Sequence, residues 1–174
     1  MTPEEAYRVA RVRGPEDLTR SIACEHITYT YYYAQNIDKG PREDTRKAAC
    51  KSAVCAFCYA LGIDMCPRED TREAASKDAQ YAYLYAYHVD RCPTNTTREG
   101  VCKEATYALE YALCVDKCFR EDTFAAIHKD PFWTKAYMLP NPTKVDSSNT
   151  ELELDHSDIL YSVLEANMLL YYQG

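Results

Sequence analysis

Pro41-Arg42-Glu43-Asp44-Thr45-Arg46 recurs 26 residues later as Pro67-Arg68-Glu69-Asp70-Thr71-Arg72. The text then decays to Pro93-Thr94-Asn95-Thr96-Thr97-Arg98 and to Phe119-Arg120-Glu121-Asp122-Thr123. Around these stretches Tyr7, Tyr33, Tyr59, Tyr85, Tyr111 and Tyr137 stand 26 apart, without an insertion or deletion. The middle four are each followed five residues on by an aspartate (Asp38, Asp64, Asp90, Asp116), itself preceded by Ile37, Ile63, Val89 or Val115. Six tyrosines in register with this much shared text establish a tandem repeat, and a period of roughly 20–50 residues is the signature of stacked-repeat architectures.

Each unit reads as two short helices. Proline suits the first helical position because its missing N–H would go unpaired there, so Pro41 and Pro67 are expected to open the first helix. Glu43 and Asp44 then sit where the helix dipole favours negative charge, and Lys51 where it favours a cation. The second helix is expected to start after Ser52, Asp78, Glu104 or Asp130, mostly good capping residues. Tyr81, Tyr85 and Val89 form a stripe along it, repeated as Tyr29, Tyr33, Ile37 and as Tyr107, Tyr111, Val115. Ala56, Ala60, Ala82, Ala86, Ala108 and Ala112 are small enough for neighbouring helices to approach closely. One such pair has too little apolar area to stand alone, so pairs must stack. The expected fold is all-α, an α-solenoid of 26-residue two-helix repeats over residues 1–138.

Leu139-Pro140-Asn141-Pro142 blocks continuation of the array. A polar, acidic linker is expected over 139–156 and an amphipathic helix over 157–172, with Ile159, Leu160, Val163, Leu164, Met168 and Leu169 on one side. From residue 141 on there are six acids and one lysine, so this tail holds five of the seven net negative charges of the 174-residue chain.

That acidity argues against a protein that neutralises nucleic-acid phosphates. No apolar run reaches the length of a membrane span, and the N-terminal residues lack a secretory pattern, so a soluble cytoplasmic protein is expected. Nine cysteines is an odd number, and most fall at shared repeat positions (Cys66, Cys92, Cys118; Cys24, Cys50, Cys102). They read as small reduced core residues.

Two stretches, Ile127-His128-Lys129-Asp130-Pro131 and Ala82-Tyr83-Leu84-Tyr85-Ala86, resemble the short Tyr/Ala-rich two-helix repeats of bacteriophage and giant-virus proteins. The resemblance covers roughly residues 1–138 and departs in the turn, where Pro-Arg-Glu-Asp-Thr-Arg stands. It implies an α-solenoid and a viral source; it does not transfer a biochemical role.

The repeated tyrosines share their stripe with Ile37 and Val89 and are expected in the core rather than as a stacking platform for bases. Tyr31, Tyr32, Tyr83 and Tyr87 lie off that stripe and are candidate partner-binding aromatics. Asp38, Asp64, Asp90 and Asp116 are read in two ways. They accept hydrogen bonds from the following turn or from Arg42, Arg68, Arg98 or Arg120, or they form an acidic stripe for a basic partner. Leu160 and Leu164 are candidate contacts of the tail helix, which either caps the last unit or docks on a second copy or a host protein; a homodimer through this helix is one expectation. Cys55-x-x-Cys58 lacks the second pair or histidine that a zinc site needs, and no Gly-rich phosphate loop occurs. No catalytic constellation, metal or cofactor is expected. The functional expectation is a virus-encoded, non-enzymatic scaffold or inhibitor that binds a host protein by occlusion. A nucleotide sponge and a self-assembling structural protein are the alternatives.

Overall fold

The protein is described here by a computed structural model over residues 1–136, with side chains to residue 133. Tyr137, the expected linker 139–156 and the expected helix 157–172 with Leu160 and Leu164 lie outside the described residues. Among the described residues the chain is all-helical: α1 (Pro3–Arg13), α2 (Asp17–Ala23), α3 (Ile27–Tyr33), α4 (Glu43–Ala49), α5 (Ala53–Tyr59), α6 (Glu69–Ala75), α7 (Ala79–Tyr85), α8 (Asn95–Val101), α9 (Ala105–Tyr111), α10 (Glu121–His128) and α11 (Pro131–Ala136). The even-numbered helices start 26 residues apart, and so do the odd-numbered ones from α3 onward.

Ser52, Asp78 and Glu104 precede α5, α7 and α9 as expected, and Asp78 caps its helix by accepting from the Tyr81 N–H. The first helices differ from expectation. Pro41 and Pro67 stand one residue before the N-caps Arg42 and Arg68, which are extended, and the helices begin at Glu43 and Glu69. The physical reason is that the N–H of the cap residue has a partner of its own, Tyr59 or Tyr85, described below.

α3, α5, α7 and α9 run on into five-residue π-helical turns, Ala34–Asp38, Ala60–Asp64, Ala86–Asp90 and Ala112–Asp116. Each turn is closed by one residue in the left-handed region: Lys39, Met65, Arg91 and Lys117, at φ 53–57°. The amino-terminal helix α1 has no such turn, and Val12 stands where the others have aspartate. None of the four left-handed residues is glycine, although a side chain there costs about 1–2 kcal/mol. Met65 is largely exposed and packs little, so Met65→Gly should stabilise the protein. The relief exceeds the roughly 0.5–1 kcal/mol that glycine adds to the entropy lost on folding. Urea unfolding should show stability raised by up to about 1 kcal/mol; a downward shift would mean that another part of the chain covers the methionine side chain.

Each helix packs chiefly on the next one or two in the chain. α3, α5, α7 and α9 lie side by side along one wall, and α4, α6, α8 and α10 along the other. Between them run small apolar clusters; four hold a repeated tyrosine, and the last is built from Ala108, Leu109, Phe124, Ala126, Ile127 and Trp133. Tyr59 packs with Ala34, Ala49 and Ile63; Tyr85 with Ala56, Ala60, Ala74 and Ala75; Tyr111 with Ala82, Ala86 and Val101. Each ring thus seats against small residues of the preceding odd-numbered helix, which is why alanine recurs there.

Candidate binding surface

The most regular polar residues face inward. Tyr33, Tyr59, Tyr85 and Tyr111 are fully buried, as are Thr45, Thr71 and Thr97. Tyr59 Oη accepts from the Arg42 N–H at 3.1 Å and lies 2.7 Å from Thr45 Oγ1, which donates to the Arg42 carbonyl at 3.1 Å. The tyrosine hydroxyl therefore satisfies the N-cap backbone of the helix before it, where a helix otherwise leaves donors unpaired. The same arrangement joins Tyr33 to Thr19 and Glu16, Tyr85 to Thr71 and Arg68, and Tyr111 to Thr97 and Thr94.

The aspartates form a second internal ladder. Arg46 donates from Nε to both Asp64 oxygens (3.0 and 2.9 Å) and from Nη2 to Oδ1 (2.6 Å). Arg20–Asp38, Arg72–Asp90 and Arg98–Asp116 repeat this bidentate geometry, and all four carboxylates are buried. Hydrogen bonding to the aspartate holds the guanidinium of each of these arginines above its usual basicity, against the opposing effect of burial. Arg20, Arg72 and Arg98 also lie over the rings of Tyr33, Tyr85 and Tyr111 at 5.5, 6.0 and 5.9 Å, within cation–π range.

These pairs correct one expectation. Asp38, Asp64, Asp90 and Asp116 do not line an exposed stripe, and their main partners are Arg20, Arg46, Arg72 and Arg98, in the preceding helix. A guanidinium one turn inside that helix points at the closing aspartate, whereas Arg42 turns toward Asp44 at 3.5 Å. Of the expected partners, Arg98 does hold an aspartate, Asp116, and Arg120 approaches the same carboxylate at 3.6 Å. Sequence reasoning noted the recurring Thr-Arg pair (45–46, 71–72, 97–98) without giving it a role. The usable signal was its survival at Thr97-Arg98, where the surrounding turn text has decayed.

Tyr31, Tyr32, Tyr83 and Tyr87 fall on the wall of odd-numbered helices and form two close pairs. Tyr31 and Tyr32 rings are 6.2 Å apart, Tyr83 and Tyr87 rings 5.9 Å. Tyr31 and Tyr83 are half-buried. A side chain at Gly62 would meet the Tyr31 hydroxyl at 2.5 Å, so Tyr31 lies directly over the next unit. Tyr32 and Tyr87 are exposed, at 43 % and 50 %, and sequence reasoning missed their apolar companions Val54 at 37 % and Leu61 at 47 %.

The helix and π-turn stretches behind this wall carry almost no charge. From Ile27 to Ile37, Ala53 to Ile63, Ala79 to Val89 and Ala105 to Val115, Glu110 is the single charged side chain at neutral pH, with His88 beside it as a titratable group. Burial pushes the Glu110 carboxyl up. The opposite wall is crowded with ions of both signs. Depressions of about 580 and 590 Å³ are lined there by Arg42, Glu43, Asp44 and Lys47, and by Arg98, Arg120, Glu121 and Asp122. A smaller one of about 250 Å³ lies against α1, between Tyr7, Tyr29, Tyr32, Arg8 and Arg11.

The buried tyrosine hydroxyls and the half-buried thiols make stability pH-dependent. Burial pushes Cys50 and Cys102 up to about 11, and raises Tyr59, Tyr85 and Tyr111 as well. Between the ordinary thiol value of about 8.5 and 11 the unfolded chain releases protons that the folded chain keeps. Stability should therefore be complete below about pH 8.5 and fall as pH rises toward 11. Urea midpoints at pH 7.5, 9 and 10.5 check this, and Cys50→Ala with Cys102→Ala should flatten part of the fall. A midpoint unchanged up to pH 10.5 would show that these groups ionise in the folded protein.

Among the described residues no group of side chains is arranged to hold a metal ion, and no helix is long and apolar enough to cross a membrane. No protein-family model, curated protein or solved structure matches the chain.

Proposed function

We propose that the chain is a non-enzymatic α-solenoid of 26-residue units that binds another protein through the wall of odd-numbered helices. One observation carries the reading: recurring polar residues close the interior, while exposed Tyr32, Val54, Leu61 and Tyr87 stand on a wall almost free of charge. Interface centres are poor in charge and rich in aromatic residues, and exposed apolar patches mark interaction sites. The resemblance to phage and giant-virus repeats supports a viral source and a host protein as the target, held by occlusion in the host cytoplasm.

The test compares Leu61→Asp and Tyr87→Asp, on this wall, with Lys47→Glu and Glu73→Lys on the opposite one. Tagged full-length protein should capture one stoichiometric partner from host lysate; the wall variants should lower its affinity by tenfold or more, and the other two should leave it unchanged. Loss of capture on the charged side alone would move the interface there. Material absorbing near 260 nm in the purified protein, displaced on unfolding, would favour the sponge reading.

A further inference from the structure

The uncharged wall has an edge of different chemistry. The four left-handed residues that end its π turns are Lys39, Met65, Arg91 and Lys117, three cations and one apolar side chain. Where the turns of α5 and α7 meet, a groove of about 370 Å³ is lined by Leu61, Met65, His88, Val89 and Arg91. Leu61 and Met65 are exposed at 47 % and 81 %. The groove therefore offers apolar contact beside positive charge, which is the complement of an acidic amphipathic helix.

The chain itself carries such a segment. Residues 157–172 place Leu160, Val163, Leu164 and Met168 at helical spacing, with Asp158 and Glu165 among them and Glu151, Glu153 and Asp155 just before. We propose that segment 157–172 docks in cis on the groove between α5 and α7, with Leu160 and Leu164 against Leu61 and Met65 and its acids toward Arg91 and Lys39. This rests on the reading of the wall as a recognition surface, and makes the tail a built-in competitor for it.

Length permits the contact. The groove lies two to three helix spacings from α11, roughly 20–30 Å at 8–10 Å per spacing. The residues 137–156 that lead to the segment reach at most roughly 65–70 Å when extended. Tethering over such a span gives an effective concentration of about a millimolar, so even a weak helix–groove contact is populated.

Cys58 is exposed in α5, three residues before Leu61 and on the same side of the helix, and serves as a reporter. Full-length protein and its Leu160→Asp/Leu164→Asp variant are alkylated under native conditions, and each cysteine is followed by mass spectrometry. Cys58 should react about tenfold faster in the variant, the ratio of a millimolar effective concentration to a site of about 0.1 mM. Adding a synthetic 157–172 peptide to the variant should slow it again. Equal Cys58 rates in the two proteins, or no effect of the peptide, would overturn the proposal. Protection of the parent that rises with protein concentration would overturn the cis contact in favour of the tail of a second copy. No partner protein enters this experiment, so failure to capture one in lysate and failure of the tail to cover the groove are read separately.

Discussion

Arg46→Ala should be the most damaging single substitution on the ladder of ion pairs, lowering stability by about 3–5 kcal/mol. The magnitude follows from what is left behind. The Asp64 side chain has 0 % exposure and takes three hydrogen bonds from Arg46. Without the guanidinium its charge sits in a site that water does not reach, and such a stranded charge is destabilising far beyond the worth of the pair itself. Asp64→Ala should be milder, toward about 2–3 kcal/mol, because Arg46 keeps 13 % exposure and can turn its charge to solvent. Replacing both, as Arg46→Met with Asp64→Leu, should restore most of the loss, since a buried pair is often no better than apolar residues of similar volume. Urea unfolding of the four proteins measures these differences. Single-variant losses below about 1 kcal/mol would show that the pair is solvated in solution.

Tyr85→Ala is expected to cost a comparable amount, about 3–5 kcal/mol. The ring fills the space beside Ala56, Ala60, Ala74 and Ala75, and alanines have no spare side chain with which to close a cavity. Its hydroxyl is separately accountable: it takes the Arg68 N–H at 3.0 Å and lies 2.8 Å from Thr71 Oγ1. Tyr85→Phe keeps the ring and strands a buried N–H, so it should lose about 1–3 kcal/mol. The difference between the two substitutions apportions packing and capping. Were Tyr85→Phe neutral, water would be reaching the α6 N-cap, and Arg68 N–H exchange should then be fast.

How much of this was legible in the sequence follows the same residues. The 26-residue spacing of Tyr33 to Tyr111 located the second helices, their burial and the alanines they pack on, because apolar periodicity is local in the chain. The polar ladders were less legible. Arg46 and Asp64 are 18 apart, Thr45 and Tyr59 are 14 apart, far beyond the three or four residues at which side chains meet on one helix; only folding of the unit brings them together. The sequence does contain the check: Phe124 replaces the arginine in the fifth unit, and Pro142 stands at the matching aspartate position. The partners are lost together. The π turns escaped notice because nothing in Ala-x-x-(Ile/Val)-Asp distinguishes a widened turn from an α-helical one. The candidate surface was half legible: Tyr32 and Tyr87 stood out as off-stripe aromatics, whereas Val54 and Leu61 are apolar residues whose exposure only the fold shows.

Each Thr–Tyr and Arg–Asp clamp joins residues of one 26-residue unit, from Pro15 to Gly40, Pro41 to Cys66, Pro67 to Cys92 and Pro93 to Cys118. Across unit boundaries the contact is mainly aromatic rings on alanines, with few polar links such as Lys103 Nζ to the Ser76 and Lys77 carbonyls at 2.8 and 2.9 Å. A gene encoding such units can therefore lengthen or shorten by whole copies through unequal recombination without severing a clamp. The length of the uncharged wall is then a heritable quantity that changes in single-unit steps, so the area it presents can change before any side chain does.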